Sequence, residues 1–474
     1  MLTQRATVFL VAVLALWRLY LSAGLQLHPD EAYYWWWSRH LDTGYFDHPP
    51  MVAYFIWIST FFSSSELWVR LSGTVVLLLM SGLMWRLAMQ LFQSERVAAG
   101  SVILFNSSPL IQLGMVVITP DVPLLLFCAL SICLFWQTLH SQRTWLWYAL
   151  GGAFGMALLS KYTAILLIPC FLLYLLLTED RRWLKTVYPY LAALVALVCF
   201  LPVVVWNSRN AWVSFLFQLK NCVGGEGFAL SKVAEYFAGQ MLVTGPLVWL
   251  LGMYAAMVGV CRKDKATLLL VCTAAPVILF FGVTSFIKVA YPNWPALAYF
   301  SLSILVSQHC LGGDSKMPKT PKVRRVLWSA AVVSTLALSL IATVHARFSF
   351  LPLGRYAPQW AAADATNAFY GWRELGAELK SKFPNGFAIT PSHQLSAEII
   401  YYTGASVLAQ PAKTARPSQF NLLHLPYDPW GKGWLHVWTD ADGADFGPSS
   451  LAPGHHKHFD VYREGRVVRS YFID

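Results

Sequence analysis

The chain contains 474 residues, of which 57% are hydrophobic and only 12% are charged. Soluble globular domains carry about 25% charged residues, so this chain has too few charges to cover several soluble domains. Its mean hydropathy of +0.50 also excludes a disordered or collagen-like chain. The composition therefore predicts a polytopic α-helical membrane protein.

The net charge of +11 would point toward nucleic acid in a soluble protein. Here most basic residues lie in short segments between apolar stretches, where they set membrane topology and meet anionic lipids. We therefore expect membrane lipids as partners and no nucleic acid. The 8 cysteines include no C-x-x-C pair, so neither a zinc knuckle nor a disulfide framework is predicted.

Eleven apolar stretches are long enough to be transmembrane helices, which need about 20 residues to cross the hydrocarbon core. They cover residues 8–27, 67–92, 97–113, 115–138, 144–160, 162–177, 186–206, 238–260, 267–285, 291–309 and 326–346. Residues 50–62 are apolar but shorter, and we interpret them as an interfacial or re-entrant segment. The total expected is about 11–13 transmembrane helices.

Lys and Arg are divided unequally between the two sets of loops. If the N-terminus is cytoplasmic, the cytoplasmic loops hold fourteen Lys and Arg and the opposite loops hold seven. The positive-inside rule then favours a cytoplasmic N-terminus. An odd number of spans places the C-terminus on the outside.

The composition changes at about residue 349, beyond which no run is long enough to span a membrane. We therefore divide the chain into a membrane domain, residues 1–348, and an external C-terminal α/β domain, residues 349–474. Periodicity and turn residues predict the elements of the second domain. They are helices over 371–383 and 396–404, strands over 386–390 and 434–439, and a hairpin over 458–472 that turns at Glu464-Gly465.

Ionisable residues in or beside membrane spans are costly and indicate a functional site. Seven of them face the external side on this topology: Asp30, Glu31, Asp47, His48, Asp121, Lys161 and Lys288. A transport pathway is expected to place charges near the midplane and on both sides, usually between repeated halves, and the chain has no internal repeat. The one-sided cluster instead predicts an active site at the external interface.

The first external loop, residues 28–66, begins with the adjacent carboxylates Asp30 and Glu31. Neighbouring residues on a helix point about 100° apart, so one carboxylate is expected to face a substrate while the other binds backbone or a cation. Residues 33–37 read Tyr-Tyr-Trp-Trp-Trp, which is typical of a helix at the lipid headgroup level. We therefore expect a helix that holds carboxylates at the lipid surface.

The segment HPDEAYYWWWSRHLDTGYFDHPP, residues 28–50, resembles the first periplasmic loop of bacterial glycosyltransferases related to the protein O-mannosyltransferases. This group includes the aminoarabinose transferase of lipid A and the galacturonosyl transferases of lipopolysaccharide. Three further motifs follow in the order that the family has. They are ITPDVPLLL at 118–126, LLSKYTAIL at 158–166 and IKVAYPNWPALAY at 287–299. The resemblance covers about residues 1–310.

The resemblance implies a class C glycosyltransferase fold. It also implies a multi-pass enzyme of the bacterial inner membrane with its C-terminal domain in the periplasm. Such an enzyme moves a sugar, with inversion, from a polyprenyl-phosphate donor to lipid A, lipopolysaccharide or another glycolipid acceptor. Asp30 matches the family's loop aspartate and is expected to be the general base or to orient the acceptor. Glu31 and Asp121, which matches a second acidic position, complete the predicted catalytic set.

The leaving polyprenyl phosphate is a weak base, so the resemblance implies cations around it rather than a general acid. The predicted donor- and substrate-binding residues are Lys161, Lys288, His48, Asp47, Arg18, Tyr33, Tyr45, Tyr291 and Arg416. Asp47-His48 stands where relatives often have Glu-Lys, so His48 is predicted to be a weaker, pH-dependent phosphate contact. A divalent cation is a further option, with candidate ligands Glu31, Asp47, His48 and Asp121.

Two other functions compete with this hypothesis. A protein O-mannosyltransferase-like enzyme would act on Ser or Thr, but many such relatives carry a different luminal domain. A lipid or sugar transporter would share the spans and the basic loops. It would not account for the one-sided acidic loop or for four motifs in the family's order.

Overall fold

The computed structural model describes residues 3–141, 143–223, 227–262, 264–312, 321–353, 363–412, 415–422, 434–439, 457–463 and 466–473. The predicted turn at Glu464-Gly465 lies outside the described residues. So do three of the fourteen Lys and Arg counted for the cytoplasmic loops, namely Lys263, Lys316 and Lys319.

The helices of the first 348 residues form the membrane part of the chain. They are α1 (Gln4–Gly24), α2 (Pro29–Arg39), α3 (Met51–Ser59), α4 (Glu66–Phe92), α5 (Glu95–Ser107), α6 (Pro109–Gly114), α7 (Asp121–His140), α8 (Trp145–Leu158), α9 (Leu167–Leu177), α10 (Tyr188–Arg209), α11 (Val213–Val223), α12 (Leu230–Thr244), α13 (Pro246–Arg262), α14 (Lys265–Thr284), α15 (Ala296–Leu311) and α16 (Pro321–Phe348).

Six of the described helices are long and apolar enough to cross a membrane, and two bent helix pairs raise that number to eight. The chain is therefore a multi-span membrane protein, as predicted. Each of the eleven predicted stretches overlaps a helix, but the helices in the other five stretches are short or bent. The six long helices are α1, α4, α7, α10, α14 and α16.

Proline and glycine account for two of the breaks. Helix α5 ends at Ser107 because Ser108 precedes Pro109, and a residue before proline is disfavoured in the helical conformation. Helices α12 and α13 meet at an angle of 106°. Between them Gly245 has φ of +92°, a conformation that glycine adopts without strain.

The first external loop folds as two short helices, α2 and α3. His28 caps α2: its side chain accepts a hydrogen bond from a backbone N–H of the first turn, and the Glu31 side chain accepts one from the His28 N–H. The aromatic run does not face the headgroups as predicted, because residues 33–37 are all buried. They pack between the membrane helices and the C-terminal part, where each ring buries a large apolar surface.

The described C-terminal part contains two α-helices and a five-stranded sheet, with strand order β2-β1-β3-β5-β4. Its elements are α17 (Trp372–Lys382), β1 (Phe387–Thr390), α18 (His393–Thr403), β2 (Leu408–Pro411), β3 (Trp434–Thr439), β4 (Lys457–Arg463) and β5 (Arg466–Ile473). Strand β1 pairs in parallel with β2 and β3, whereas β5 pairs antiparallel with β3 and β4. The predicted helices and strands are present, and β2 is an addition that the sequence did not suggest.

The C-terminal sheet unit is bound to the segment that follows α1. The Gln26 side-chain oxygen accepts hydrogen bonds from the backbone N–H groups of Trp372 (2.6 Å) and Arg373 (3.1 Å) at the start of α17. The Leu27 N–H donates to the Tyr402 hydroxyl at 2.7 Å. Helix α18 meanwhile packs against α2. The loop that carries Asp30 therefore lies between the membrane helices and the C-terminal unit.

Candidate active site

Glu31 is bound on all sides by protein groups. Arg70 of α4 donates to both of its carboxylate oxygens, with Nε–Oε1 of 2.9 Å and Nη2–Oε2 of 2.5 Å. The backbone N–H groups of His28 and Ile118 each donate to it at 2.9 Å. Both side chains of the ion pair are fully buried. This arrangement ties the start of α2 to α4 and to the segment before α7, and it occupies both oxygens of Glu31 with protein donors.

Asp30, the neighbouring carboxylate, has different surroundings. Its side chain is 42% exposed. Gln394 of α18 donates from Nε2 to Asp30 Oδ1 at 3.3 Å. The Asp30 backbone N–H donates to His28 Nδ1 at 3.2 Å, so this nitrogen is an acceptor and not a donor to the carboxylate 3.9 Å away. Gln394 thus holds one carboxylate oxygen, and no side chain among the described residues donates to the other, which we call the open oxygen.

Asp121, the first residue of α7, and Lys161, which follows α8, form an ion pair. The distance from Lys161 Nζ to Asp121 Oδ1 is 2.8 Å, and each side chain is 13% exposed. Asn293 donates from Nδ2 to the other oxygen of Asp121 at 2.9 Å. Three of the four motifs that carry the family resemblance therefore meet in one cluster, since these residues come from 118–126, 158–166 and 287–299.

Asp47 joins the first loop to the C-terminal unit. It accepts a hydrogen bond from the Tyr33 hydroxyl at 2.9 Å and pairs with Arg416. The Arg416 side chain is about half exposed, and its guanidinium lies over the Phe217 ring at 4.6 Å from the centroid. Gln218 donates to the Asp47 backbone oxygen at 2.6 Å, so α11 also holds this part of the loop.

His48 follows Asp47 and is close to Gln218, whose side-chain nitrogen is 3.4 Å from Nδ1. Burial and, to a smaller extent, the charge of Lys161 lower the pKa of His48 to about 3. The imidazole is consequently neutral at physiological pH. The structure thus favours His48 as a neutral hydrogen-bonding group rather than the pH-dependent cation that was predicted.

Tyr34 is affected by several charged groups of the site. Burial raises the pKa of its phenol, the charges of Asp30 and Asp121 raise it further, and Arg416 opposes them. Its ring centroid is 6.4 Å from that of His48. The charges of Asp30, Asp121 and Arg416 therefore all act on one tyrosine, with His48 nearby, although these residues come from three separate parts of the sequence.

The remaining predicted residues take other positions. Lys288 donates to the backbone oxygen of Asn221, and Tyr291 is largely exposed. Tyr45 is buried, stacks on Trp37 and donates to backbone oxygens, which is a packing role. Arg18 is fully buried in α1, where it donates to the Asn106 side chain at 3.5 Å.

Sequence reasoning missed several residues of this site. In the sequence Arg70 is only one of the loop charges, and no pattern indicates that it pairs with a glutamate 39 positions earlier. Asn293 lies within the motif at 287–299, so membership of that motif was the available signal for its place near Asp121. No local signal singles out the other missed residues, which are Gln218, His393 and Gln394 of the first-loop and C-terminal contacts.

The donor set does not fit a divalent cation. Within the described ranges, no group of three or more His, Cys, Asp or Glu side chains is arranged to hold a metal ion. The carboxylates of Glu31, Asp47 and Asp121 are each paired with an arginine or a lysine, and the charge of Lys161 also acts on the fourth candidate ligand, His48. The protein's own cations thus balance the carboxylates that were candidate ligands.

The chain is similar in sequence to known sugar transferases. Residues 47–206 match the family described as dolichyl-phosphate-mannose-protein mannosyltransferase. The lipid A galacturonosyltransferase RgtD of Rhizobium johnstonii is 28% identical over 312 residues, which cover 64% of this chain and 65% of that protein. The undecaprenyl phosphate-α-4-amino-4-deoxy-L-arabinose arabinosyl transferase of Erwinia tasmaniensis is 26% identical over 65% of this chain and 57% of its own length. The chain thus aligns with somewhat less than two thirds of either relative.

The similarity of fold extends over almost the whole chain. The crystal structure of ArnT from Cupriavidus metallidurans bound to undecaprenyl phosphate superposes with a TM-score of 0.69, at 16% identity and with 99% of this chain and 98% of that one covered. The apo form of the same protein gives a TM-score of 0.69, at 17% identity and with 98% and 97% covered. The chain therefore has the class C glycosyltransferase fold of ArnT, as the resemblance of its four motifs implies.

Proposed function

We propose that the chain is an inverting glycosyltransferase of the bacterial inner membrane that moves a sugar from a polyprenyl-phosphate donor to lipid A or lipopolysaccharide. The observation that carries the proposal is Asp30, a half-exposed carboxylate one helical turn before Tyr34, whose phenol is also affected by the charges of Asp121 and Arg416. The relatedness to a lipid A galacturonosyltransferase supports the acceptor class.

The reaction is a single displacement at the anomeric carbon. An acceptor oxygen forms a bond to this carbon while the carbon–oxygen bond to the donor phosphate breaks, and the bonding electrons leave with the polyprenyl phosphate. One displacement inverts the centre without a covalent sugar–enzyme intermediate. Where the acceptor is a hydroxyl, its proton passes to the open oxygen of Asp30.

The leaving phosphate needs positive charge close to its oxygens. Lys161 and Arg416 supply this charge in the proposal, and His48 supplies a neutral hydrogen bond. Arg416 is more accessible than Lys161, because its side chain is about half exposed whereas that of Lys161 is 13% exposed. Asp121 holds Lys161 in place, and Glu31 holds the start of α2, so we assign both carboxylates to positioning rather than to contact with the sugar.

We further propose the arrangement in the membrane that the loop charges favour. The N-terminus is cytoplasmic, residues 1–348 form the transferase domain with the first loop, 28–66, on the periplasmic side, and residues 349–474 form a periplasmic domain. This puts Asp30, Asp121 and Arg416 on the side where the lipid acceptor lies. The excess of Lys and Arg in the opposite loops supports the orientation.

Mass spectrometry of lipid A and core oligosaccharide tests the proposal. Wild-type chain, Asp30→Asn, Asp42→Asn and an empty vector are expressed in two hosts, one that makes undecaprenyl phosphate-4-amino-4-deoxy-L-arabinose and one that makes a polyprenyl-phosphate galacturonic acid. Asp42 is an exposed residue in the same loop, so it controls for the loss of a charge there. We expect a mass addition with wild type and Asp42→Asn and about a hundredfold less with Asp30→Asn. Unmodified lipid in both hosts, with donor consumed and sugar on protein, would instead indicate a Ser/Thr acceptor.

The acceptor group determines how severe the Asp30→Asn defect is. A lipid phosphate is already ionised at pH 7, so Asp30 then orients the acceptor and Asn retains part of that role. A hydroxyl acceptor must lose a proton, and Asn cannot accept it. Transfer rates of the variant with a phosphate-bearing and a dephosphorylated acceptor distinguish the two, and equal inactivity with both contradicts the orienting role.

A further inference from the structure

Helix α18 of the C-terminal unit begins beside the open carboxylate. Gln394, its second residue, donates from Nε2 to Asp30 Oδ1 at 3.3 Å. Among the described residues, Gln394 is the only one whose side chain donates a hydrogen bond to the Asp30 carboxylate. The nearby His28 Nδ1 does not donate, because it accepts a hydrogen bond from the Asp30 backbone N–H. The contact joins residues 364 positions apart.

The surroundings hold this contact in place. His393, which is buried, packs edge-on against the Tyr33 ring with 4.5 Å between centroids. The Tyr33 hydroxyl accepts a hydrogen bond from the Gln419 N–H at 2.7 Å and donates to Asp47. Helix α18 therefore cannot shift along α2 without disturbing buried contacts next to Gln394.

The geometry points to Gln394 as a positioning residue that fixes the Asp30 carboxylate for transfer, so that the C-terminal unit is part of the active site. The inference rests on the proposed function, which does not by itself require Gln394. A free carboxylate rotates about its side-chain bonds, and an amide donor to Oδ1 selects the orientation that leaves Oδ2 toward the acceptor. Holding a catalytic group in its reactive geometry accounts for a large part of enzymatic rate enhancement.

The pH dependence of transfer reports the ionisation of Asp30, and a purely structural role of Gln394 would not affect it. The titratable groups that face Asp30 are His28 and Tyr34 on α2 and His393 on α18. Burial lowers the pKa of His393 to about 4, so its ring carries no charge near neutral pH. A carboxylate introduced at 394 would be a new like charge next to Asp30, and it would disfavour ionisation of Asp30.

Three variants of the full-length chain in lipid nanodiscs test the inference, assayed with the donor and acceptor that give the mass addition in cells. Gln394→Leu removes the donor and keeps much of the side-chain volume. Gln394→Glu replaces the donor with a carboxylate of the same shape. Lys380→Gln, at an exposed position on α17, makes the same change in net charge as Gln394→Glu and serves as the control.

We expect Gln394→Leu to lower kcat by about tenfold with little change in KM for the donor, the effect of losing one hydrogen bond to a charged group. In Gln394→Glu the acidic limb of the kcat/KM profile should move up by about one pH unit. Lys380→Gln should match wild type in both. The same melting temperature in all four proteins shows that folding is not the cause.

The two proposals fail in different ways. If Asp30→Asn is inactive while Gln394→Leu and Gln394→Glu keep the wild-type rate and pH profile, the positioning role is wrong and the proposed function stands. If Asp30→Asn keeps the wild-type rate, the assignment of Asp30 itself is wrong, and the role of Gln394 falls with it. Loss of rate in Gln394→Glu without a shift of the acidic limb also contradicts the inference, because the added charge must act through Asp30.

Discussion

Glu31 and Asp30 are adjacent, yet their surroundings differ in burial and in hydrogen-bond partners. Glu31 is fully buried against Arg70, and two backbone N–H groups complete its hydrogen bonds. A buried ion pair adds little over apolar packing, but removing one partner leaves an uncompensated buried charge. Asp30 is 42% exposed, so water can replace the hydrogen bonds that its protein neighbours donate. Glu31 should therefore matter to stability and Asp30 to transfer.

Glu31→Gln should destabilise the protein by about 3–5 kcal/mol, because the Arg70 guanidinium stays buried without a counter-charge. Thermal unfolding of purified protein in detergent, followed by intrinsic fluorescence, measures the effect. Asp30→Asn is the control on the adjacent position and should melt with wild type. If the two variants melt together, the different roles assigned to these carboxylates are wrong.

Two buried histidines make stability depend on pH. Burial lowers the pKa of His393 to about 4 and that of His48 to about 3, whereas an exposed histidine titrates near about 6.5. Between these values the unfolded chain binds protons that the folded chain does not. The free energy of unfolding should therefore fall as the pH decreases from about 6.5 toward 4.

His393→Gln should make this pH dependence shallower. The fall in melting temperature between about pH 7 and pH 5 should be smaller in the variant than in wild type, even if the variant is less stable at pH 7 because it loses packing on Tyr33. The exposed His140 provides the control, since His140→Gln should leave the slope unchanged. An identical slope in His393→Gln and wild type counts against a neutral, buried imidazole.

The loop residues show what local sequence can and cannot indicate at this scale. Adjacent carboxylates on a helix predict that one binds protein and one faces outward, and the structure contains this division. Local sequence could not tell which partner Glu31 would find, because Arg70 reaches it only through the crossing of α2 and α4. Local sequence could not predict the charge state of His48 either, since it depends on burial by segments distant in the chain.

Among the elements, α8 and α10 approach each other closely. A Cβ on Gly151 would overlap the backbone oxygen of Ala192, and one on Gly155 would lie 2.5 Å from the Cys199 Cβ. Small residues four apart let helix backbones approach in a membrane, where packing rather than the hydrophobic effect holds helices together. Helix α8 ends shortly before Lys161, so its position against α10 also affects the ion pair with Asp121.

Gly151→Ala should therefore lower the melting temperature and reduce transfer, with a cost of about 1–3 kcal/mol from overpacking. Gly152→Ala is a matched control one residue away, because a Cβ there meets nothing within 4 Å. It should be neutral or slightly stabilising, since alanine favours a helix over glycine. Equal melting temperatures for the two variants would contradict the close packing of α8 on α10.

Apolar periodicity located the helices well but not their interruptions. All eleven predicted stretches overlap helices, because a run of apolar residues must satisfy its backbone internally in lipid. Whether a run remains one straight span depends on local breaks such as Ser108-Pro109 and Gly245-Pro246 and on what packs around them. Strand β2 was missed because its residues, Leu-Ala-Gln-Pro, include no β-branched or aromatic side chain and end in proline.

Over the whole molecule, the C-terminal unit contacts the membrane domain at several separate points on one side. Arg373 pairs with Glu66 at the start of α4 (2.7 Å), and the Phe46 N–H donates to the Gln419 side chain at 2.8 Å. Together with Gln26 and the Gln394–Asp30 contact, these links enclose the first loop. The catalytic carboxylate of the proposed enzyme thus depends on two parts of the chain that the sequence analysis treated as separate domains.

The Gln26 side chain forms one of these contacts and is buried. Its removal should weaken the attachment of the C-terminal unit to the membrane domain. In Gln26→Ala, the N–H groups of Trp372 and Arg373 lose their acceptor at the start of α17, which costs about 1–3 kcal/mol when such groups stay buried. Amide hydrogen exchange in α17 and α18 should then be about tenfold faster or more, and transfer should fall because Gln394 no longer holds Asp30 steadily. Gln137→Ala, near the end of α7 that lies away from Asp121, is the control and should change neither measurement. Faster exchange with full activity would mean that the unit caps the membrane domain without serving the reaction, whereas a parallel change in both would tie the motion of the C-terminal unit to catalysis.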